Sequence, residues 1–232
     1  MEIELDKTQM SRGSFHLQAS GVFLPGLHLV SGRIGSGKTT LAMGIAGLWE
    51  PDSGSVKLDG IDSLMLSLQF PELHITGSTL EAEINSWHLD SGPVLSLAGL
   101  RGRGEDDPFS LSRGELKRLH LACVFSREWD LLILDEPFSA LDCREKTSVC
   151  KWITQNNTGI TIIFTHEQQH LPRVDYLWEI CEGALSYLGS MPDAMKMWTN
   201  PPLIVQELHN KGIFPKNLSP EDIMEAACGM RE

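Results

Sequence analysis

The sequence predicts an α/β fold with a parallel-sheet core, and three observations carry that prediction. Strand-sized apolar runs, Leu131 to Leu134, Ile160 to Phe164 and Tyr176 to Cys181, alternate with helix-length segments, the pattern of a doubly wound parallel sheet. A glycine-rich turn over residues 32–37 joins the short run Leu27 to Ser31 to a helical pattern from Lys38 to Leu48. Residues 76–126 are helical in pattern, broken by the glycine-rich, charged stretch Gly99 to Asp107, so they form a helical subdomain inserted in the core.

Ahead of the glycine-rich turn, Glu2 to Leu5, Ser14 to Gln18 and Leu27 to Ser31 alternate like strands between polar or Gly/Pro breaks, which predicts an N-terminal antiparallel β portion. After Pro192 the texture changes to short helices punctuated by Pro and Asn, Pro202 to Lys211 and Ser219 to Cys228. The second has Ser219 as N-cap, Pro220 at the first helical position and Glu221 and Asp222 in the first turn, each suited to a helix N-terminus. The expected organisation is therefore a main domain over 1–195 and a small helical extension over 196–232 that looks like an added module. No internal repeat or low-complexity tract interrupts it.

With 232 residues, 41% of them hydrophobic, the chain has enough apolar material for a sizeable core without covalent staples. Its longest apolar runs are strand-sized, so none is expected to span a bilayer. A formal net charge of -12 argues against a nucleic-acid or anionic-lipid surface, which needs clustered Lys and Arg. A membrane location would then come through a protein partner. The five cysteines form no C-x-x-C pair and no leader pattern precedes them, so reduced cysteines in a cytoplasmic protein are expected.

Two motifs carry chemistry. Gly32-Arg33-Ile34-Gly35-Ser36-Gly37-Lys38-Thr39 fits G-x-x-x-x-G-K-[ST] between a strand and a helix, the context in which backbone N–H groups and a helix N-terminus cradle phosphates. Lys38 supplies a point charge to the same oxygens, Thr39 a hydroxyl to Mg²⁺, and Thr40 follows it among the expected nucleotide contacts. The second motif, Leu131-Leu132-Ile133-Leu134-Asp135-Glu136-Pro137, is a buried-type strand ending in two acids. Ligands of parallel sheets bind at such carboxyl ends. Asp135 is placed to hold Mg²⁺ through water, and Glu136 to act as general base on the attacking water. Together these describe a P-loop ATPase using ATP and Mg²⁺.

Leu111-Ser112-Arg113-Gly114-Glu115, a helix length before the carboxylate strand, resembles the LSGGQ signature of ATP-binding cassette (ABC) ATPases. Gln69 resembles the Q-loop glutamine, Ser139-Ala140-Leu141-Asp142 the D-loop, and Thr165-His166 the switch histidine after a strand. The resemblance implies a head-to-tail dimer, with a second copy or a related ATPase, in which Ser112, Gly114 and Glu115 of one subunit cap ATP held by the other. It also implies that Gln69 contacts both nucleotide and metal, and that His166 contacts the γ-phosphate and helps to place the water.

Gln69-Phe70-Pro71-Glu72 is similar to the ATPases of energy-coupling factor transporters, which import vitamins and transition-metal ions. Pro202 to Gly212 and Leu218-Ser219-Pro220-Glu221-Asp222 resemble their C-terminal dimerisation extension. The partners so implied are a transmembrane scaffold subunit, whose coupling helix would meet Phe70 and Leu73, and a substrate-binding membrane protein. The protein would lie peripherally on the cytoplasmic face of the cell membrane. The sequence departs from the family at Arg113, where a glycine is usual, at Glu115, where glutamine is usual, and at the aromatic that stacks on adenine. Arg12 is the first choice for that stacking role and Phe15 the second. An import motor is the leading expectation, with an exporter ATPase and a soluble non-transport ABC enzyme as alternatives. The last would normally carry coiled-coil insertions or a tandem cassette, and neither occurs.

Overall fold

The computed structural model describes residues 1–13 and 15–228. Ser14, at the start of the second expected strand, and residues 229–232 lie outside the described residues. The N-terminal portion is an antiparallel unit of β1 (Glu2–Arg12), β2 (Phe15–Phe23) and β4 (Ser53–Asp59). The core strands are β3 (Gly26–Gly32), β5 (Leu64–Ser67), β6 (Leu131–Asp135), β7 (Ile160–Thr165), β8 (Tyr176–Cys181) and β9 (Ala184–Ser190). All nine described strands join one sheet in the order β4-β1-β2-β9-β8-β3-β7-β6-β5, and the run from β8 to β5 is parallel. Every residue of β6 and β7 is buried, as for strands covered on both faces. The register sets Ser31 opposite Thr165 and Asp135 opposite Phe164. The phosphate loop, the paired acids and His166 therefore leave the same edge of the sheet.

The helices are α1 (Lys38–Ile45), α2 (Leu80–Ser86), α3 (Ser91–Leu97), α4 (Arg113–Phe125), α5 (Cys143–Gln155), α6 (Leu203–Asn210) and α7 (Pro220–Cys228). On one face of the sheet, Leu41 and Ile45 of α1 pack with Ile3, Met10 and Phe23 of the N-terminal strands. On the other, Val124 and Phe125 of α4 pack with Val149 and Ile153 of α5. The inserted subdomain has its own cluster, in which Leu80, Ile84, Val94 and Leu95 close on Leu119 of α4.

The structure departs from expectation in three places. Helix α1 ends at Ile45, short of Leu48, because Gly47 adopts φ 73 and Leu48 N–H turns back to the Met43 carbonyl at 2.9 Å, a glycine-terminated helix end. Strands β4, β5 and β9 escaped the alternation test, β4 and β9 because they lie mostly exposed and β5 because it is only four residues long. The turn joining β8 to β9 was readable: Glu182 and Gly183 take φ 50 and 76, and two-residue hairpin loops favour positive φ at both positions. Third, the C-terminal extension is fused to the core. Val205, Leu208 and Leu218 belong to the same buried cluster as β6 and α5. The Arg173 guanidinium makes two 2.7 Å bonds to the buried Asp222 carboxylate, and Asn217 bonds both backbone groups of Val174.

His28, on β3, gives the core a pH dependence. It is 1% exposed; its Nε2 donates to the Leu24 carbonyl at 2.7 Å and its Nδ1 accepts from Trp178 Nε1 at 3.0 Å. An indole N–H only donates and a carbonyl only accepts, so one neutral tautomer satisfies both. Burial pushes its pKa down to about 4. The folded value lies below the unfolded one, so the contribution of neutral His28 is complete above about pH 6.5 and declines as pH falls towards the folded value. Urea unfolding at pH 7 and pH 4.5 should show the parent losing about 2 kcal/mol more than His28→Gln; equal losses would remove His28 as the source.

Candidate nucleotide site

The glycine-rich loop leaves β3 and enters α1 at Lys38. Gly37 takes φ 100, and a Cβ there would stand 2.7 Å from Cε1 of Phe15, so conformation and contact both require glycine. Lys38 is 6% exposed. Its ammonium donates to the Gly32 and Arg33 carbonyls at 2.9 and 3.2 Å and lies 3.5 Å from Glu136 Oε1. Gly35, Thr39, Thr40, Gln69, Glu136, His166, Arg12 and Phe15 line one cavity with Lys38, beneath the exposed crest residue Ile34. Arg33 points elsewhere, its guanidinium reaching Asn200 at 3.4 Å, and the Ser36 hydroxyl is buried without a partner among the described residues.

Two carboxylates belong to the site: Glu136 lines the cavity, and Asp135 reaches it through Thr39. Asp135 Oδ2 accepts from the Thr39 hydroxyl at 2.7 Å, while Oδ1 is buried with no partner among the described residues. Burial raises the Asp135 carboxyl above its usual range, outweighing the Thr39 bond that lowers it, and the Glu136 charge adds to the rise. An unpartnered oxygen beside a hydroxyl suits a small hard cation that keeps much of its hydration, as Mg²⁺ does. Among the described residues no His/Cys/Asp/Glu cluster forms an all-protein metal cage, so such an ion would lean on phosphate oxygens.

Glu136 has φ 47, a left-handed conformation that non-glycine residues adopt at a cost. Its amide is fixed to the Phe164 carbonyl at 2.8 Å. Oε2 accepts from the Thr165 hydroxyl at 2.9 Å and Oε1 from His166 Nδ1 at 2.7 Å, with the His166 amide at 3.2 and 3.3 Å from the two oxygens. An ionised carboxylate only accepts, so Nδ1 carries the proton of this pair. The strained acid is thus held by β7 and by the residue just beyond it.

The signature residues do not line this cavity in the same chain. Ser112 caps α4: its hydroxyl accepts from Glu115 N–H at 3.3 Å and donates to Glu115 Oε2 at 2.8 Å, in a reciprocal capping box. The Ser112 amide and hydroxyl, followed by Arg103, hold the Glu115 carboxyl down to about 2. Glu115 in place of glutamine thereby has a structural account. Gly114 has an intrachain reason too, since a Cβ there would stand 2.9 Å from the carbonyl of Ala140, itself at φ 63. Arg113 extends to solvent with its Nε 3.9 Å from Glu72.

Four residues whose contacts bear on the loop and its cavity were missed in the sequence. Lys117 donates from α4 to the Leu68 and Gln69 carbonyls at 3.3 and 3.2 Å. Trp198 Nε1 donates to Ser31 Oγ at 2.9 Å, and Glu179 accepts from the Thr199 and Asn200 amides, tying the start of the extension behind the phosphate loop. Trp49 takes the Arg12 guanidinium 5.9 Å from its ring centroid. These depend on long-range placement and left no local pattern.

The geometry agrees with what the chain is similar to. The ABC transporter family profile matches residues 26–139. The energy-coupling factor transporter ATP-binding protein EcfA1 of Thermotoga maritima is 35% identical over 71% of this chain and 71% of its own length. EcfA2 of the same organism is 30% identical over 86% of each. A solved ATP-binding subunit of an ABC transporter superposes with a TM-score of 0.71 at 19% identity, covering 85% of this chain and 93% of the other, which bears on the fold alone. By its relatives, with the profile match in agreement, the chain belongs to the ABC transporter family, among its ATP-hydrolysing nucleotide-binding members.

Proposed function

We propose that this chain is the motor subunit of a membrane importer, coupling ATP binding and hydrolysis to uptake of a vitamin or a transition-metal ion. The observation that carries the reading is its similarity to two energy-coupling factor ATP-binding proteins at 35% and 30% identity. The Gln69-Phe70-Pro71-Glu72 loop supports it, since Phe70 and Leu73 are 52% and 67% exposed, as a contact for a membrane subunit's helix requires. No described helix is long and apolar enough to cross a membrane, so attachment to the cytoplasmic face would run through that contact.

In this reading Lys38 and the backbone of residues 32–37 hold the β- and γ-phosphates at the N-terminus of α1. Thr39, Asp135 and Gln69 hold Mg²⁺, which when bound supplies the charge that balances the phosphate oxygens. Glu136 accepts the proton of the attacking water, and His166 fixes the Glu136 carboxylate through its Nδ1–H while its ring faces the cavity beside the γ-phosphate. Ser112 and Gly114 stand outside their own chain's cavity, which supports their serving the site of a second subunit. In that head-to-tail dimer the N-terminus of α4 meets the partner's nucleotide.

Arg12 is assigned to adenine. It pairs with Phe15 across the β1–β2 register, and both line the cavity. Cation–π stacking at an exposed site contributes about 0.5–1 kcal/mol. Arg12→Ala should therefore raise KM for ATP roughly two- to fivefold with kcat preserved, as loss of uniform binding does; a KM change confined to Phe15→Ala would transfer the role to Phe15. The transport reading is tested by purifying the tagged chain from gently solubilised native membranes and identifying its companions by mass spectrometry. A multi-spanning scaffold with a small hydrophobic binding protein supports the importer, whereas an exclusively soluble catch overturns it.

A further inference from the structure

Lys117 is 1% exposed, and no carboxylate lies within ion-pair distance of it among the described residues. A lysine is almost never buried without a partner, so what it touches bears on why it is there. Its ammonium spans the Leu68 and Gln69 carbonyls at 3.3 and 3.2 Å. Those are the last two residues before the Phe70-Pro71-Glu72 turn, and Gln69 lines the nucleotide cavity. Lys117 itself rides on α4, one turn beyond the capped N-terminus at Ser112. One side chain thus joins the backbone of the cavity's glutamine to the helix that presents the signature.

We propose that Lys117 is a positioning residue for ATP hydrolysis, fixing the place of Gln69 in its own chain's site relative to the signature end of α4. The proposal rests on the assignment of Gln69 to the nucleotide and metal. The chemistry suits the task. An ammonium offers three donors on a compact head, so it can hold two adjacent carbonyls at once, which a single hydroxyl or amide N–H cannot. Burial lowers the Lys117 pKa to about 8, opposed by the charges of Asp135, Glu136 and Glu72. A tether of this kind ties any shift of Gln69 to a shift of α4, and so links the two nucleotide sites of a head-to-tail pair.

The test is a double-mutant cycle on the full chain, reading kcat and the Mg²⁺ concentration for half-maximal ATPase rate in the parent, Lys117→Met, Gln69→Ala and the double variant, with Lys117→Arg as the conservative control. Met keeps the length and apolar stem while removing the donors. Misplacing a group by about 1 Å costs up to roughly 100-fold in rate, so Lys117→Met should lower kcat by about 10-fold and raise the Mg²⁺ requirement, and Lys117→Arg should restore much of both. In the Gln69→Ala background the Met substitution should have little further effect, because residues acting as a unit are not additive. Parent-like kcat and Mg²⁺ dependence in Lys117→Met would overturn the tether. So would losses that multiply across the cycle, since Lys117 would then act independently of Gln69. A Gln69→Ala enzyme with parent kcat would instead remove the Gln69 assignment, and the tether with it.

Discussion

Glu136→Gln is expected to lower ATP turnover about 1,000-fold, within the range that loss of a general base commands, while ATP binding persists and dimers accumulate. The amide is nearly isosteric: its oxygen, in the place of Oε1, can still accept from His166 Nδ1, and its NH2, in the place of Oε2, can donate to the Thr165 hydroxyl, which turns from donor to acceptor. The fold and the strained φ of 47 should therefore survive. Two effects act in the same direction. The variant has no carboxylate to take the proton of the attacking water. It also removes a negative charge that stands 3.5 Å from Lys38, so the lysine is released to the triphosphate and like-charge repulsion at the γ-phosphate falls. Stalled chemistry with undiminished affinity predicts a nucleotide-dependent dimer on size-exclusion chromatography in MgATP. Turnover at the parent rate would remove Glu136 from its assigned role.

How much of this was legible beforehand follows from the range of the interactions. The phosphate loop, the paired acids and the histidine are each short motifs at the carboxyl end of an apolar strand, and the register Ser31–Thr165 and Asp135–Phe164 brings them together by sheet order alone. Apolar strands buried on both faces announce themselves; β4 and β9, exposed and mixed in polarity, do not. The extension's helices were recognisable from the Ser219-Pro220 start, but not their fusion to the core, because Arg173–Asp222 joins residues 49 apart in sequence. Gly114 shows the same limit from the other side. Its glycine character was readable as close approach to a partner's phosphate, whereas the contact within the chain is the Ala140 carbonyl, visible only once the turn after Glu136 is in place. Lys117 is the extreme case: a charged residue in the middle of a helix ordinarily signals solvent, and only the packing of α4 against residues 68–69 reverses that inference.

Lys38→Ala should weaken ATP binding about 100-fold, some 2.7 kcal/mol, the scale of a charge-assisted contact made in a partly desolvated site. The contacts of Lys38 within the chain indicate why this is a binding defect and not a folding one. Lys38 now spends its charge on two loop carbonyls and on Glu136, and after truncation Glu136 keeps its bonds from Thr165 and from the ring and amide of His166. The buried Glu136 carboxylate is therefore not left unpartnered. The loop's shape also rests on Gly37 at φ 100 against Phe15 and on Trp198 bonded to Ser31 behind it, contacts that the substitution leaves alone. A ligand that binds only the folded state raises its melting temperature as its concentration exceeds its Kd, and has almost no effect well below it. MgATP should therefore shift the parent's Tm and leave that of Lys38→Ala unmoved at the same concentration, with the two proteins melting within a few degrees of one another in its absence. An equal ATP-dependent shift in both would mean that the loop binds phosphate without its lysine, and that the charge now seen on the Gly32 and Arg33 carbonyls is structural.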